Sequence, residues 1–308
     1  MKNKLYVIGN GFDIAHNLPT KYAYFRQYIL DRYPNSLKCQ DIPESILMPD
    51  GEEIYNDDEV AGYIIKVIDS TDGEDWNCLE SSLGNYIYSE FISEANRIDI
   101  EDEDNVIWRN IYANEDKSLN ILNTFVKIKQ LFRQWVKEEL SRLGMSGIKK
   151  NNIEAVLDPN AYYLTFNYTD TLENAYSIAP YNICHIHGKA SDNNNIFFGH
   201  GDIQEIQDSF DTLGMYDSLA KLKRILYKDT EKALFDKTEF FKGLTGVNEV
   251  YSYGFSFSDV DMIYIDTISK YITPKDTIWY LNSYDEDKIQ YKEKLKQYGF
   301  NVKIENMW

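Results

Sequence analysis

Bases are in short supply in this chain. Lysine and arginine total 32 against 50 aspartates and glutamates, a formal net charge of -18. That imbalance argues against non-specific affinity for nucleic acid or an anionic membrane surface. Cysteine is scarcer still: Cys39, Cys78 and Cys184 are far apart, odd in number and without a C-x-x-C spacing. Neither a disulfide framework nor a cysteine zinc site follows, and a reducing cytoplasm is the expected compartment. No apolar run reaches membrane-spanning length, and Met1-Lys2-Asn3-Lys4 leads into a strand pattern rather than a signal peptide. Direct nucleic-acid binding and membrane association are therefore not expected. Histidine is limited to four residues, three of them between positions 185 and 200.

What is present begins at the front. Leu5-Tyr6-Val7-Ile8-Gly9-Asn10-Gly11-Phe12-Asp13 reads as an apolar strand running into a glycine-bounded turn. In an α/β sheet such a turn lies at the carboxyl end of the strand, where ligands bind. Gly9 and Gly11 would let the backbone approach a phosphate, and the following helix would direct its amides at it. A full dinucleotide fingerprint has a third glycine, where Ile14 stands. Asn17 and Pro19 then mark a turn, and Thr20 is expected to cap a helix carrying Tyr22, Phe25 and Ile29.

Residues 31–149 change character. Residues 41–59 are acidic, with Pro43, Pro49 and Gly51, and read mostly as loop. Helical spacing follows at 77–95 and, most clearly, at 118–143, where Leu122, Phe125, Ile128, Leu131, Phe132, Trp135 and Leu140 form one stripe. Trp76 and Glu80 sit at the heart of this region. Glu80 either enters a site from its helix or is a solvated or capping residue. From residue 161 strands return at 161–166, 181–186, 195–198, 249–253, 277–281 and 301–304, with helices at 170–178, 217–241, 258–271 and 284–298. This alternation predicts an α/β fold: a doubly wound, mainly parallel Rossmann-like sheet. Residues 1–30 with 150–308 would form that domain, and 31–149 a helical insertion or cap over its open side.

Polar groups recur where these strands end: Gly9 to Asp13, Thr165 with Asn167 and Tyr168, His185 with His187 and Gly188, Gly254 with Ser256, and Asn282. Strand ends converge on one crevice in such a sheet. Asn167 follows an apolar strand, a place where asparagine also serves simply as a turn residue. His187 beside Gly188 is suited to a general base. A strand-end histidine next to glycine is expected to be exposed enough for its removal to cost on the order of 1 kcal/mol. His185 lies two residues away and therefore on the same strand face. Together they could hold a metal, with His200 and Asp202 as further ligands.

The order of these motifs resembles the AbiH family, associated with bacterial abortive infection of phage. Gly9-Asn10-Gly11-Phe12-Asp13 with Ala15 to Thr20 resembles that family's opening, and Trp76 to Glu80, Thr165 to Tyr168 and His185 to Gly188 resemble its later motifs. More distantly the order is similar to the sirtuin (SIR2) superfamily, with Phe198-Gly199 and Gly254 to Ser256 in corresponding places. That resemblance implies a SIR2-like pocket that binds and hydrolyses NAD or a related nucleotide. It implies Asn167 and His187 as catalytic residues, with Gly9, Asn10, Gly11, Phe12, Asp13, Thr165, Tyr168, Gly254, Ser256 and Asn282 around the nucleotide. The zinc module of sirtuin deacetylases is not matched, because no cysteine follows Cys184; no zinc is expected. A pocket that only senses ADP-ribose, and a metal-dependent phosphohydrolase, remain the other readings. A homo-oligomer or a phage-derived trigger would fit either nucleotide reading.

Overall fold

A computed structural model describes residues 2–70, 79–80, 104–140, 149–191, 196–200 and 213–307. Trp76, Cys78, Asp202 and nearly all of the helix expected over 77–95 lie outside the described residues. The chain divides into two compact units, Met1–Thr20 with Val136–Phe197 and Asp229–Trp308, and Lys21–Trp135 with Phe198–Lys228.

The strands in chain order are β1 (Lys4–Ile8), β2 (Ile46–Leu47), β3 (Glu53–Ile54), β4 (Tyr162–Thr165), β5 (Ile183–His185), β6 (Glu249–Tyr253), β7 (Ile278–Asn282) and β8 (Asn301–Glu305). In the first unit six of them form one sheet, ordered β5-β4-β1-β6-β7-β8. Every pairing in it is parallel. Numbered along the chain, these six strands run 3-2-1-4-5-6, the order of dinucleotide-binding folds. The chain reverses its winding between β1 and β6, the point at which such sheets bind ligands.

The sequence dictates this sheet through buried apolar runs. Leu5, Tyr6, Val7 and Ile8 are all fully buried, as a central strand covered on both faces requires. One face carries Leu5, Val7, Leu164, Cys184, Val250, Trp279 and Leu281 under the helices at Met262–Tyr271 and Lys288–Gln297. The other carries Tyr6, Ile8, Phe12, Tyr163, Leu172 and Tyr176. Because neighbouring strands are in register, four tyrosines stack across this second face. Ring centroids lie 4.9 Å apart for Tyr163–Tyr6, 5.2 Å for Tyr6–Tyr251 and 4.7 Å for Tyr251–Tyr280. The hydroxyls of Tyr6 and Tyr163 donate to the carbonyls of Val156 and Asp158 rather than only to water. Burial accordingly pushes the Tyr6 phenol up to about 12.

The second unit is mainly helical. Its longest described helix, Asp104–Glu138, begins well before the stripe read from sequence. Phe25, Tyr63, Phe125 and Phe132 are buried in its core, with Phe25 edge-on to Phe132. The acidic stretch is mostly loop, as expected, interrupted by the short β2–β3 hairpin and ending in the start of the helix Asp57–Asp69. The Asn56 side chain accepts from the Asp58 and Glu59 amides, and three acids in the first turn complement the helix dipole. Thr20 is not a cap. The helix Tyr22–Arg32 has Lys21 at that position with no side-chain hydrogen bond, and Thr20 instead accepts from Asn10 Nδ2 at 3.2 Å.

Candidate active site

The loops after β1 and β6 meet at the point where the strand order reverses. The Gly9 amide donates to the Tyr253 carbonyl and the Gly11 amide to Gly254, at 3.0 and 3.1 Å. A Cβ on Gly11 would lie 2.6 Å from Gly254 Cα, and Gly254 itself has φ +60. These glycines are therefore required by the approach of one loop to the other, and the Asn10–Ala15 helix starts from that junction.

That helix carries Asp13 inward, where it is 1 % exposed. Thr169 Oγ1 donates to one of its oxygens at 2.7 Å and Thr171 Oγ1 to the other at 2.9 Å. Asn167 adds a side-chain hydrogen bond, yet burial dominates and lifts the Asp13 carboxyl to about 6. Asn167 is held along its backbone as well. Its amide donates to Thr165 Oγ1 at 3.2 Å, and its carbonyl faces His185 Nδ1 at 3.1 Å. His185 Nε2 faces Glu173 Oε1 at 3.0 Å. Burial opposes ionisation of Glu173, but the His185 and Lys189 contacts win and hold its carboxyl down at about 2.

His187 goes elsewhere. β5 ends at His185 and the backbone turns, so the two-residue alternation that would align the two histidines no longer applies. His187 Nε2 lies 3.2 Å from the Tyr264 hydroxyl and 3.6 Å from Asp261 Oδ1. Its ring packs edge-on to Phe166, with centroids 5.1 Å apart. It is only 4 % exposed, so the expectation of an exposed histidine is corrected. A carboxylate behind a histidine is the arrangement that orients a general base.

The other expected residues are distributed around these groups. Phe12 is buried against His16 and Tyr253, and Tyr168 donates to the Phe197 carbonyl at 2.9 Å. Residues 196–198 form no strand: the Phe197 amide makes one bond to the His187 carbonyl, and His187 is itself in a turn that offers no ladder. Ser256 is half-buried in the loop after Gly254, and Asn282, buried, ends β7 and accepts from the Tyr284 amide.

With this geometry in place, the comparison with known families is decisive: the description "Bacteriophage abortive infection AbiH" matches residues 5–283. The chain belongs to the AbiH family. Membership brings a role in bacteriophage abortive infection. No curated protein matches the sequence.

Sequence reading missed several residues of this AbiH protein's site: Thr169, Thr171, Glu173, Lys189, Asp261 and Tyr264. Each lies on a helix start or loop whose polar residues look like ordinary capping residues until the chain is folded. Of the four residues in the metal reading, Asp202 lies outside the described residues, and His185 and His187 face different partners, Glu173 and Tyr264. Asp170, Glu173 and His185 do bring donor atoms within 4.8 Å of one another. The Lys189 ammonium, however, already contacts Asp170 and Glu173 at 2.7 and 3.0 Å and supplies the positive charge there.

In the second unit Glu80 is neither solvated nor a cap. It is 7 % exposed and pairs with Lys228 at 3.0 Å, while the Gly199 amide donates to its other oxygen at 3.4 Å. Lys129, which donates to the Tyr227 carbonyl, is lowered to about 8, first by burial and then by Arg133. None of the helices among the described residues is long and apolar enough to cross a membrane.

Proposed function

We propose that this AbiH protein acts in phage defence by binding NAD or a related nucleotide in the strand-end crevice and hydrolysing its nicotinamide–ribose bond. The observation that carries the reading is the strand order, with the Gly9–Gly11 and Gly254 loops meeting at its reversal point. In this reaction water adds to the ribose carbon, and nicotinamide leaves with the electron pair of the glycosidic bond. Asn167 orients the ribose or the water, and His187, backed by Asp261 and Tyr264, accepts the water's proton. The test is to incubate purified protein with NAD and measure free nicotinamide, with and without phage infection of the source culture. Release of nicotinamide that His187→Ala abolishes supports the reading.

A second reading is favoured by one observation. Asn167 and His187 belong to separate hydrogen-bonded groups, one around Asp13 and one around Asp261 and Tyr264. A pocket so divided suits a sensor that binds ADP-ribose without turnover. Calorimetric binding of ADP-ribose with no nicotinamide released from NAD, in uninfected or infected extracts, would select it.

A further inference from the structure

We propose that β8 is the seam of a two-fold dimer, in which the edge strand of one copy of this chain pairs antiparallel with the same strand of a second copy, centred on Ile304. The inference concerns assembly and does not depend on the nucleotide reading.

β8 ends the sheet order, so among the described residues it has a strand on one side only. The backbone shows which residues use that side. The Asn301 amide donates to the Thr277 carbonyl at 3.3 Å, and the Glu305 carbonyl accepts from the Ser283 amide at 2.9 Å. Peptide groups alternate sides along a strand. Asn301, Lys303 and Glu305 therefore turn theirs toward β7, and Val302 and Ile304 turn theirs outward. The side chains of Val302 and Ile304 pack against the first unit's core but stay only half-buried. The strand has no proline, and its pairing with β7 runs without a bulge over all five residues. Of the devices that usually keep an edge from pairing, it carries one exposed lysine, Lys303.

Charge points to a second copy as the occupant. The chain as a whole carries -18, which keeps copies apart, but residues 275–305 hold six lysines and six acids. That neutral stretch contains β7, the helix Lys288–Gln297 and β8, so two copies meet there with little repulsion. The strand also complements itself. A two-fold axis makes the pairing antiparallel and reciprocal, and outward peptide groups must meet outward ones. This allows centres on Val302, Lys303 or Ile304. A centre on Lys303 sets two lysines face to face, and one on Val302 sets Lys303 against Asn301. A centre on Ile304 sets Lys303 against Glu305 of the second copy, twice by symmetry. Those positions lie between the hydrogen-bonded pairs, where opposed side chains come closest. Lys303 thus favours this register instead of blunting the edge. Its ammonium also lies 5.6 Å from the Tyr280 ring centroid, at the end of the tyrosine stack. Joined this way, the two six-stranded sheets continue as one.

The experiment uses the full chain and two charge variants, Lys303→Glu and Glu305→Lys. Sedimentation of the wild type should show a particle of twice 36.1 kDa. Each variant alone opposes like charges at both ends of the seam, and should associate about a hundredfold more weakly. Mixed in equal amounts, the two variants face each other with opposite charges at both ends, and the dimer should return. Both positions are exposed, so melting temperatures should stay near that of the wild type. A wild type that remains monomeric up to about 100 μM overturns the proposal. So does a dimer that either variant leaves intact, which would place the interface elsewhere. Variants that dissociate but do not recombine on mixing overturn the register centred on Ile304.

Discussion

Gly9 and Gly254 are packed so closely that a Cβ on Gly9 would stand 2.3 Å from the Gly254 carbonyl oxygen. Real side chains do not tolerate that distance, so the two loops at the head of the crevice are interlocked through bare backbone. Gly254→Ala would place its Cβ 2.4 Å from Gly11 Cα, at a positive φ. It should cost at least about 2 kcal/mol. Gly246→Ala is the control, since Gly246 also has positive φ but nothing within 4 Å. It should cost only about 1 kcal/mol. Urea unfolding of both variants checks the difference, and equal losses would show that strain, not contact, sets the requirement.

Asp13 makes stability depend on pH in an unusual direction. Its carboxyl is raised from 3.8 to about 6 in the fold, so the folded state holds the proton more tightly than the unfolded chain. Its contribution is therefore full below the unfolded value and is lost as pH rises through about 6. The loss is about 3 kcal/mol. Asp13→Asn should flatten the urea midpoint between pH 4 and 6 relative to wild type.

Glu173 acts with the opposite sign. Its carboxyl is lowered from 4.5 to about 2, so its stabilisation is present above the unfolded value and is lost as pH falls toward the folded one. Glu173→Gln should remove that acid-side loss, again about 3 kcal/mol, while lowering stability at neutral pH. Midpoints measured from pH 2 to 7 separate the two variants, because Asp13→Asn alters the upper half of the range and Glu173→Gln the lower.

His187→Ala is expected to lower nicotinamide release about a hundredfold or more under the proposed reaction. It should also destabilise the fold by about 2 kcal/mol, since it leaves the Tyr264 hydroxyl and Asp261 facing a buried gap. His185→Ala should cost similar stability, through the Asn167 and Glu173 hydrogen bonds. Melting temperatures with activity at a fixed folded fraction distinguish a lost base from a lost fold.

The buried pair in the second unit gives a separate expectation. Glu80→Gln leaves the Lys228 ammonium, 2 % exposed, without its carboxylate and should cost about 3–5 kcal/mol. Glu80→Leu with Lys228→Met should stand closer to wild type, because no charge is then left buried. Unfolding curves of the three proteins test this, and a double variant as unstable as Glu80→Gln would locate the cost in packing.

The sequence alone settled what depends on local pattern. Apolar runs bounded by glycine and polar residues placed all six sheet strands within a residue or two. The opening motif and the order of the later ones pointed to the family that residues 5–283 match. What sequence could not decide was which way a side chain turns once regular structure stops. His185 and His187 read as one pair because alternation was carried past the end of β5; the turn there sends one ring to Glu173 and the other to Tyr264. In the sequence Asp13 is simply the polar residue that follows a glycine turn. Only the tertiary structure brought Thr169, Thr171 and Asn167, more than 150 residues later in the chain, to its two oxygens. Strand propensity and burial are properties of a few neighbouring residues. Hydrogen-bond partners across a sheet are fixed by register and by the loops that close over it, which no short stretch of sequence contains.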